Sequence, residues 1–501
     1  MNLLLLLDMA SSDEPDRTAF QFAGEILTVG ELREHTTRIG SALARRARYL
    51  AFTATNGLAF PHAVFAAAAA GIPLVPINYR LSHERQEQIL SLHPGALVVA
   101  PDDQIPRLIA SGFDAMSPSG FLGLGMLDHP SERVIADPDP DEVAVLLYTS
   151  GTTSEPKAVV LRHRHLTSYV LGTVEFGASS SVEAALVAVP PYHIAGVAHV
   201  LTNLYSGRRV VYVDSFDAGE WLALVRGEGV THTMVVPTML ARIVDALEST
   251  GMPVPPTLRS IVYGGAAMPS RVLERALREF PAVDFVNAYG LTETSSTIAL
   301  LGPEDHRRAL EDPDPKIRAR LRSAGKIVPG VEIEIRNAMG APAGEGEVGG
   351  IYVRGPQVSG EYLGSSSPAE IGGWFATRDN GCLDADGYLF IEGRSDDTII
   401  RGGENIAPAE IEDVIALMPG VAECAVVGIV DDDWGQKTVA VLVAEPGSTV
   451  SPDEVQDWVR TRLRGSRTPD AVVFRTELPY TETGKLLRRS LRAELELPIS
   501  S

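Results

Sequence analysis

Cysteine is almost missing from this 501-residue chain: Cys382 and Cys424 are the whole complement. Two thiols are too few for a disulfide framework or a cysteine-rich zinc site, and this usage fits a reducing compartment. Long apolar runs are missing as well. The run from Leu3 to Leu7 is five residues, with no basic segment before it and Asp8 after it. A signal peptide needs a longer core and a spanning helix about 20 apolar residues, so neither a membrane span nor export is expected and a cytoplasmic location is. Positive charge is scarce too. Lys and Arg number 43 against 65 Asp and Glu, a formal net charge of −22. A binder of nucleic-acid backbone needs a basic surface, so that class of partner is excluded, whereas small anionic ligands respond to local charge and are not. There is no low-complexity segment and no evident repeat. With 45% hydrophobic and 22% charged residues the chain reads as globular, and its length calls for at least two folding units.

What is present alternates. Short apolar or β-branched runs at 49–55, 96–100, 143–150, 208–214, 231–237, 259–265 and 284–290 are separated by helical patterns such as VLERALREF (272–280). Continuous apolar runs bounded by Gly, Pro and polar turns predict strands buried on both faces, hence layered, largely parallel α/β structure. After residue 320 the runs 331–337, 349–355 and 387–393 lie between Gly-rich turns, which predicts an antiparallel or barrel-like subdomain. A final segment of about 105 residues has its own helix start, with Ser451 as N-cap, Pro452 at N1 and Glu454 completing a capping box. The expected fold class is therefore α/β. A large N-terminal domain (1–392) would combine layered α/β subdomains with a barrel-like β subdomain, and a hinge (393–397) would lead to a small, mobile α+β C-terminal domain (398–501).

Ligands of open α/β sheets bind at the carboxyl ends of strands, and three runs end in small or polar residues. One leads into Tyr148-Thr-Ser-Gly-Thr-Thr-Ser-Glu-Pro-Lys157. Hydroxyls, exposed amides and a terminal ammonium are what a polyphosphate needs. Pro156 and Ala158 exclude a Walker A loop. A polar surface turn explains the same residues about equally well. GEGEVG at 344–349 fits G-x-G-x-x-G but follows a turn, precedes a strand and carries Glu345 and Glu347, so it is read as a turn.

Tyr148–Lys157 resembles the phosphate loop of the adenylate-forming superfamily, which includes acyl-CoA synthetases, peptide-synthetase adenylation domains and luciferases. Six further segments resemble that superfamily's motifs in the same order: PPYHIAG (190–196), YGGAAMP (263–269), NAYGLTE (287–293), WFATRD (374–379), GRSDDTIIRGGENIAPAEIE (393–412) and TETGK (481–485). The resemblance implies an AMP-forming ligase that uses ATP, Mg²⁺ and CoA. A carboxylate attacks the ATP α-phosphate to give acyl-AMP and pyrophosphate, and a thiol then takes the acyl group. Both partners of the first step are anionic, so charge must be neutralised there. By position the resemblance assigns Lys485 to bridge the carboxylate and α-phosphate, Glu293 to hold Mg²⁺, and Thr292 to contact the α-phosphate. Thr149, Ser150, Gly151, Thr152, Thr153 and Lys157 would cradle the phosphates. Gly264, Gly265 and Ala266 would admit adenine closely, with Asn287, Ala288, Tyr289 and Gly290 beside it and Tyr289 stacked on the base. Asp379 would accept both ribose hydroxyls and Arg394 would reach the ribose or phosphates. Asp396 is the implied hinge, Gly402, Gly403 and Glu404 lie on the CoA side, and His193 lines the acyl site and gates the pantetheine arm. Without the resemblance, Lys485 reads as a surface lysine, Asp379 as a turn aspartate and His193 as a core histidine. Three positions depart from the pattern: Ser154, Ala158 and Arg378 stand where the family has glycine.

PPYHIAGVAH has no acid to pair with an amino acid's ammonium, and VPINYRL (75–81) resembles acyl- and aryl-CoA ligases. The acyl-site segments 193–199, 237–240, 264–268 and 294–297 contain no Arg or Lys, which disfavours a dicarboxylate and suits a hydrophobic monocarboxylic acid. Only 16 residues follow Lys485, which leaves CoA as the expected acceptor. The alternatives are a stand-alone adenylating enzyme that loads an acyl carrier protein or performs one half-reaction, and a non-catalytic nucleotide-binding relative. From Arg460 to Arg492, nine Lys and Arg face three Asp and Glu, a local reversal of the overall charge.

Overall fold

The computed structural model describes residues 1–127, 136–149, 157–364, 372–402, 404–431, 433–463, 465–481 and 486–496. Among them a nine-stranded sheet runs in the order Lys326–Ile327, Ser296–Leu301, Asp284–Leu291, Ser260–Gly264, His232–Val235, Ala184–Val187, Arg209–Tyr212, Thr18–Phe22 and Glu25–Thr28. Its interior is parallel, and antiparallel pairing appears only toward its two edges. A second sheet of six places Tyr49–Phe52 between Leu74–Pro76 and Ala96–Val99, all parallel, and ends in the antiparallel hairpin Val143–Thr149/Lys157–Arg162. The apolar runs thus form two-faced buried strands: every residue of Ala96–Val99 and of Ala184–Val187 is buried.

Helices fill the space between the sheets. Ala59–Ala70 is apolar all round, and all twelve of its residues are buried, as a helix without a polar face must be. The helix Val29–Ala44 packs tightly on it, because Gly40 lies where a Cβ would come within 2.6 Å of the Ala69 methyl. The Leu3–Leu7 run joins this core. It lies in the helix Leu3–Asp13, capped by Asn2, whose side chain accepts the Leu4 and Leu5 amides, and Leu3, Leu6 and Leu7 are buried. Each such leucine is stabilising by about 1.5–3 kcal/mol.

The residues after 330 form an antiparallel meander, Glu332–Arg336, Gly349–Arg354, Phe375–Leu383 and Leu389–Arg394. GEGEVG is a turn, with Gly346 at φ +68° and the Gly344 amide bonded to Glu347. The small C-terminal domain is a ribbon (Ile399–Arg401, Glu404–Ile406) and a sheet of Val421–Asp431, Gly435–Ala444 and Ala471–Arg475 packed with the helices Pro408–Ala416, Pro452–Arg460 and Arg488–Glu496. The capping box at Ser451 and Glu454 is formed.

Candidate active site

Parallel pairing sets the carboxyl ends of Ala184–Val187, His232–Val235, Ser260–Gly264 and Asp284–Leu291 side by side. The segments at 190–193, 237–240, 264–268 and 290–294 leave from that one edge. Two glycines there answer to backbone crowding. A Cβ on Gly264 would lie 2.3 Å from the Ala288 carbonyl oxygen, and one on Gly290 would lie 1.8 Å from that of Ser296. Gly265 adopts φ +81°. The strand contact therefore accounts for Gly264, and the left-handed torsion for Gly265, before any base is considered. Ala288 supplies the carbonyl that crowds Gly264, while Asn287 donates its side-chain amide to the Ser323 carbonyl at 2.9 Å.

His193 is not a core histidine. It caps the helix Ile194–Ser206, is half-buried, and donates its amide to the Pro190 carbonyl at 3.1 Å. Its ring neighbours Tyr192, which meets Tyr79 edge-on at 5.3 Å, so VPINYRL reaches the same place. The second histidine of this helix, His199, is also half-buried; its Nε2 lies 3.2 Å from the Met234 sulfur, and desolvation pushes its pKa down to about 4.

Glu293 sits in the single turn Thr292–Thr294, with Thr292 half-buried beside it. Its carbonyl accepts the amides of Ser359 (2.8 Å) and Gly360 (3.3 Å), and its Oε1 accepts the Tyr362 hydroxyl at 2.7 Å. Asp379 is buried, at 5% exposure. Its Oδ2 accepts the Tyr289 hydroxyl at 2.6 Å and its Oδ1 lies 3.1 Å from Arg394 Nε. Burial, then the Asp379 charge, raises the Tyr289 pKa well above the usual phenol value, so it stays a donor. Tyr289 is tied to Asp379 through its hydroxyl, which leaves the face of its ring as the surface for the expected stacking.

Thr149 and Lys157 face each other across the mouth of their hairpin, Thr149 half-buried and Lys157 exposed. Ser150, Gly151, Thr152 and Thr153 lie outside the described residues, as does Ser154. The strand Lys157–Arg162 is sewn to 359–363: Val160 N–H donates to Glu361 O, Leu363 N–H to Ala158 O, Ser359 Oγ to Val160 O, and Arg162 grips Glu361 at 2.7 and 2.8 Å. Loop mouth and Glu293 are thereby held together. Ala158 sits in strand register opposite Tyr148 without a left-handed torsion. Arg378 has one, φ +64°, inside a bulge of the strand Phe375–Leu383. Ala266 follows Gly265 at the same strand end.

Asp396 lies exposed in the single turn Ser395–Asp397. In the small domain, Gly402 (φ +58°) donates its amide to the Trp434 carbonyl at 2.8 Å, and a Cβ there would strike the Trp434 ring at 2.9 Å. Glu404 accepts Arg467 at 2.7 Å, a partner that the sequence did not indicate. Gly403 and Lys485 lie outside the described residues. Tyr362 was missed because it falls outside every quoted motif.

The described residues hold no cluster of three or more His, Cys, Asp or Glu suited to a metal. Mg²⁺ does not demand one: it takes one or two carboxylates with phosphates and water. Glu293, with Oε2 uncommitted to Tyr362, fits that need.

Residues 7–363 match the AMP-binding enzyme family, and residues 410–485 match the AMP-binding enzyme C-terminal domain. A feruloyl-CoA synthase from Amycolatopsis sp is 34% identical over 95% of this chain and 96% of its own. A fatty acid–[acyl-carrier-protein] ligase, ScoC, from Streptomyces coeruleorubidus is 32% identical over 96% of this chain and 93% of its own. Among solved structures, o-succinylbenzoate CoA synthetase (MenE) from Bacillus subtilis in complex with its acyl-adenylate intermediate is 30% identical, with a TM-score of 0.84 over 97% of both chains. That synthetase in complex with ATP and magnesium ion is 28% identical, with a TM-score of 0.82 over 97% of this chain and 98% of the other.

Proposed function

The chain belongs to the AMP-binding enzymes, and from that membership we infer that it is an AMP-forming acid–CoA ligase acting on a hydrophobic monocarboxylic acid. In the first half-reaction a carboxylate oxygen bonds to the ATP α-phosphorus as the bond to the pyrophosphate oxygen breaks. In the second, the CoA thiol loses its proton, sulfur bonds to the acyl carbon, and AMP leaves. The observation that carries the reading is the bonded set Tyr289–Asp379–Arg394 beside Tyr362–Glu293, held against the mouth of the Thr149–Lys157 loop. Asp379 and Arg394 would bind the ribose, and Glu293 would hold Mg²⁺. Thr292, the 149–157 loop and Lys485 neutralise the phosphates and the attacking carboxylate. Mg²⁺, when bound, screens the phosphate charge as pyrophosphate departs. His193 lines the acyl side. Residues 393–397, with Asp396, form the hinge between 1–392 and 398–501, and Gly402, Gly403 and Glu404 face CoA. No helix among the described residues is long and apolar enough to cross a membrane; with two unpaired cysteines, we place the enzyme in the cytoplasm.

The acyl-side segments carry no Arg or Lys, which supports an uncharged acyl body. The fatty acid–[acyl-carrier-protein] ligase among the relatives favours a second reading, transfer to a carrier protein in place of CoA. A pyrophosphate-release screen of ferulate, saturated fatty acids and malonate, with and without CoA, decides. The expected result is acid-dependent release and a CoA thioester from an apolar acid, with malonate inert. Release without any CoA thioester, from an acid that a carrier protein accepts, would establish the second reading.

A further inference from the structure

Glu293 is held from two directions by one short segment. Its main chain is fixed by the Ser359 and Gly360 amides, and its carboxylate Oε1 by the Tyr362 phenol at 2.7 Å. That segment has little freedom. Gly360 takes φ +57° where a Cβ would strike the Phe375 ring at 2.9 Å. Tyr362 pairs with Val159, Glu361 and Leu363 bond the flanking main chain, and the Glu361 carboxylate is gripped by Arg162. The phenol therefore rides on the strand that leaves the phosphate loop, and it spans from that strand to the turn carrying Glu293. A phenol has one proton to give, and here Oε1 receives it. A phenol of ordinary pKa, about 10, is protonated at neutral pH, so the donor persists.

We propose that Tyr362 is a positioning residue for the metal-binding carboxylate: by taking one lone pair of Oε1 it leaves Oε2 the freer ligand and fixes the carboxylate relative to the phosphate-loop strand. The proposal rests on the reading of Glu293 as the Mg²⁺ ligand and adds a residue that orients it. Groups that orient a metal ligand through a hydrogen bond are typically worth about 10–100-fold in metal affinity.

The test uses the full chain with Mn²⁺ as the spectroscopic probe and α,β-methylene-ATP as the nucleotide. Mn²⁺ affinity is read by electron paramagnetic resonance, and metal-free nucleotide affinity by calorimetry. Tyr362→Phe is expected to weaken Mn²⁺ by about tenfold, with metal-free nucleotide affinity unchanged, which also certifies the fold. Glu293→Gln should weaken Mn²⁺ more, and the double variant should add nothing to Glu293→Gln. If Glu293→Gln weakens Mn²⁺ and Tyr362→Phe does not, the positioning role is wrong and the ligand assignment stands. If Glu293→Gln leaves Mn²⁺ untouched, the ligand assignment fails and takes the proposal with it.

Discussion

The two domains differ in how they treat protons. All eleven histidines precede residue 307, and the small domain has none. In the large domain burial is the first cause that pushes His62, His93, His163, His165, His199 and His232 down to about 4, so they fold as neutral rings. The small domain instead holds half-buried ion pairs, with Arg488 Nη2 reaching both Glu412 oxygens at 2.6 Å and Arg467 pairing with Glu404 and Glu410, and concentrates positive charge between Arg460 and Arg492. Among the described residues the ion pairs across the seam are exposed or partly exposed. Arg322 meets Asp413 at 2.9 Å with both side chains about half exposed, and Arg271 pairs with Glu445. Such pairs contribute about 0–1 kcal/mol each. The small domain is itself acidic, with 11 Lys and Arg against 17 Asp and Glu over 398–501, so its positive charge is confined to the stretch 460–492, beyond a weakly bonded seam. Under the proposed function this suits a division of labour in which the body would bind the nucleotide and the small domain would bring the 460–492 stretch, with Lys485, to it.

The largest effects test that division. Lys485→Ala removes the small domain's proposed contribution to the first half-reaction and should slow acyl-AMP formation by about 10²–10³-fold, the scale of losing one transition-state charge contact. Thioester formation from preformed acyl-AMP should be largely spared, and rapid-quench assay of each half-reaction reads both. Undiminished adenylation would break the comparison. Asp396→Pro should do the opposite, because fixing φ in the exposed turn Ser395–Asp397 restricts the rotation that the second half-reaction needs. Equal loss of both steps would mean that the turn is not the hinge.

Acid should separate the domains next. These histidines have folded pKa values near 4 against 6.5 when unfolded, so below pH 6.5 the unfolded chain binds more protons. Their stabilising contribution is fully present above pH 6.5 and falls as pH drops toward 4. The loss approaches about 1.4 kcal/mol per pH unit for each such histidine. Hydrogen exchange at pH 7, 5.5 and 4.5 should show protection failing in the large domain's helices first. Earlier loss in Val421–Asp431 and Gly435–Ala444 would reverse the assignment.

The same contrast explains what the sequence could reveal. Strands, the Ser451 cap and the GEGEVG turn are local, and period or turn chemistry exposes them. The bonds that shape the site are not local. Tyr289 reaches Asp379 across 90 residues, Tyr362 reaches Glu293 across 69, and Arg467 reaches Glu404 across 63. No periodicity reports such pairs. A tyrosine in QVSGEYL looks like any half-buried aromatic until the strand Lys157–Arg162 is laid beside it. The sequence also does not show that the nearest atom to the missing Cβ of Gly264 is a carbonyl of the next strand, a second demand for glycine beside the expected adenine contact.

The smallest effect lies at Arg378, where the large domain holds a bulky side chain at φ +64° in a bulge next to Asp379. A left-handed torsion costs a non-glycine residue about 1–2 kcal/mol, and glycine gives back about 0.5–1 kcal/mol through its freer unfolded chain. Arg378→Gly should therefore stabilise the large domain by a net amount of about 0.5–1 kcal/mol. Arg378→Ala, which keeps a Cβ at the same torsion, should not. Differential scanning calorimetry resolves the two if the domains melt separately, and the small domain's transition should stay in place. Equal stability of the glycine and alanine variants would show that the bulge relaxes without cost. In that event the family's glycine at this position answers to the space beside the nucleotide and not to the torsion.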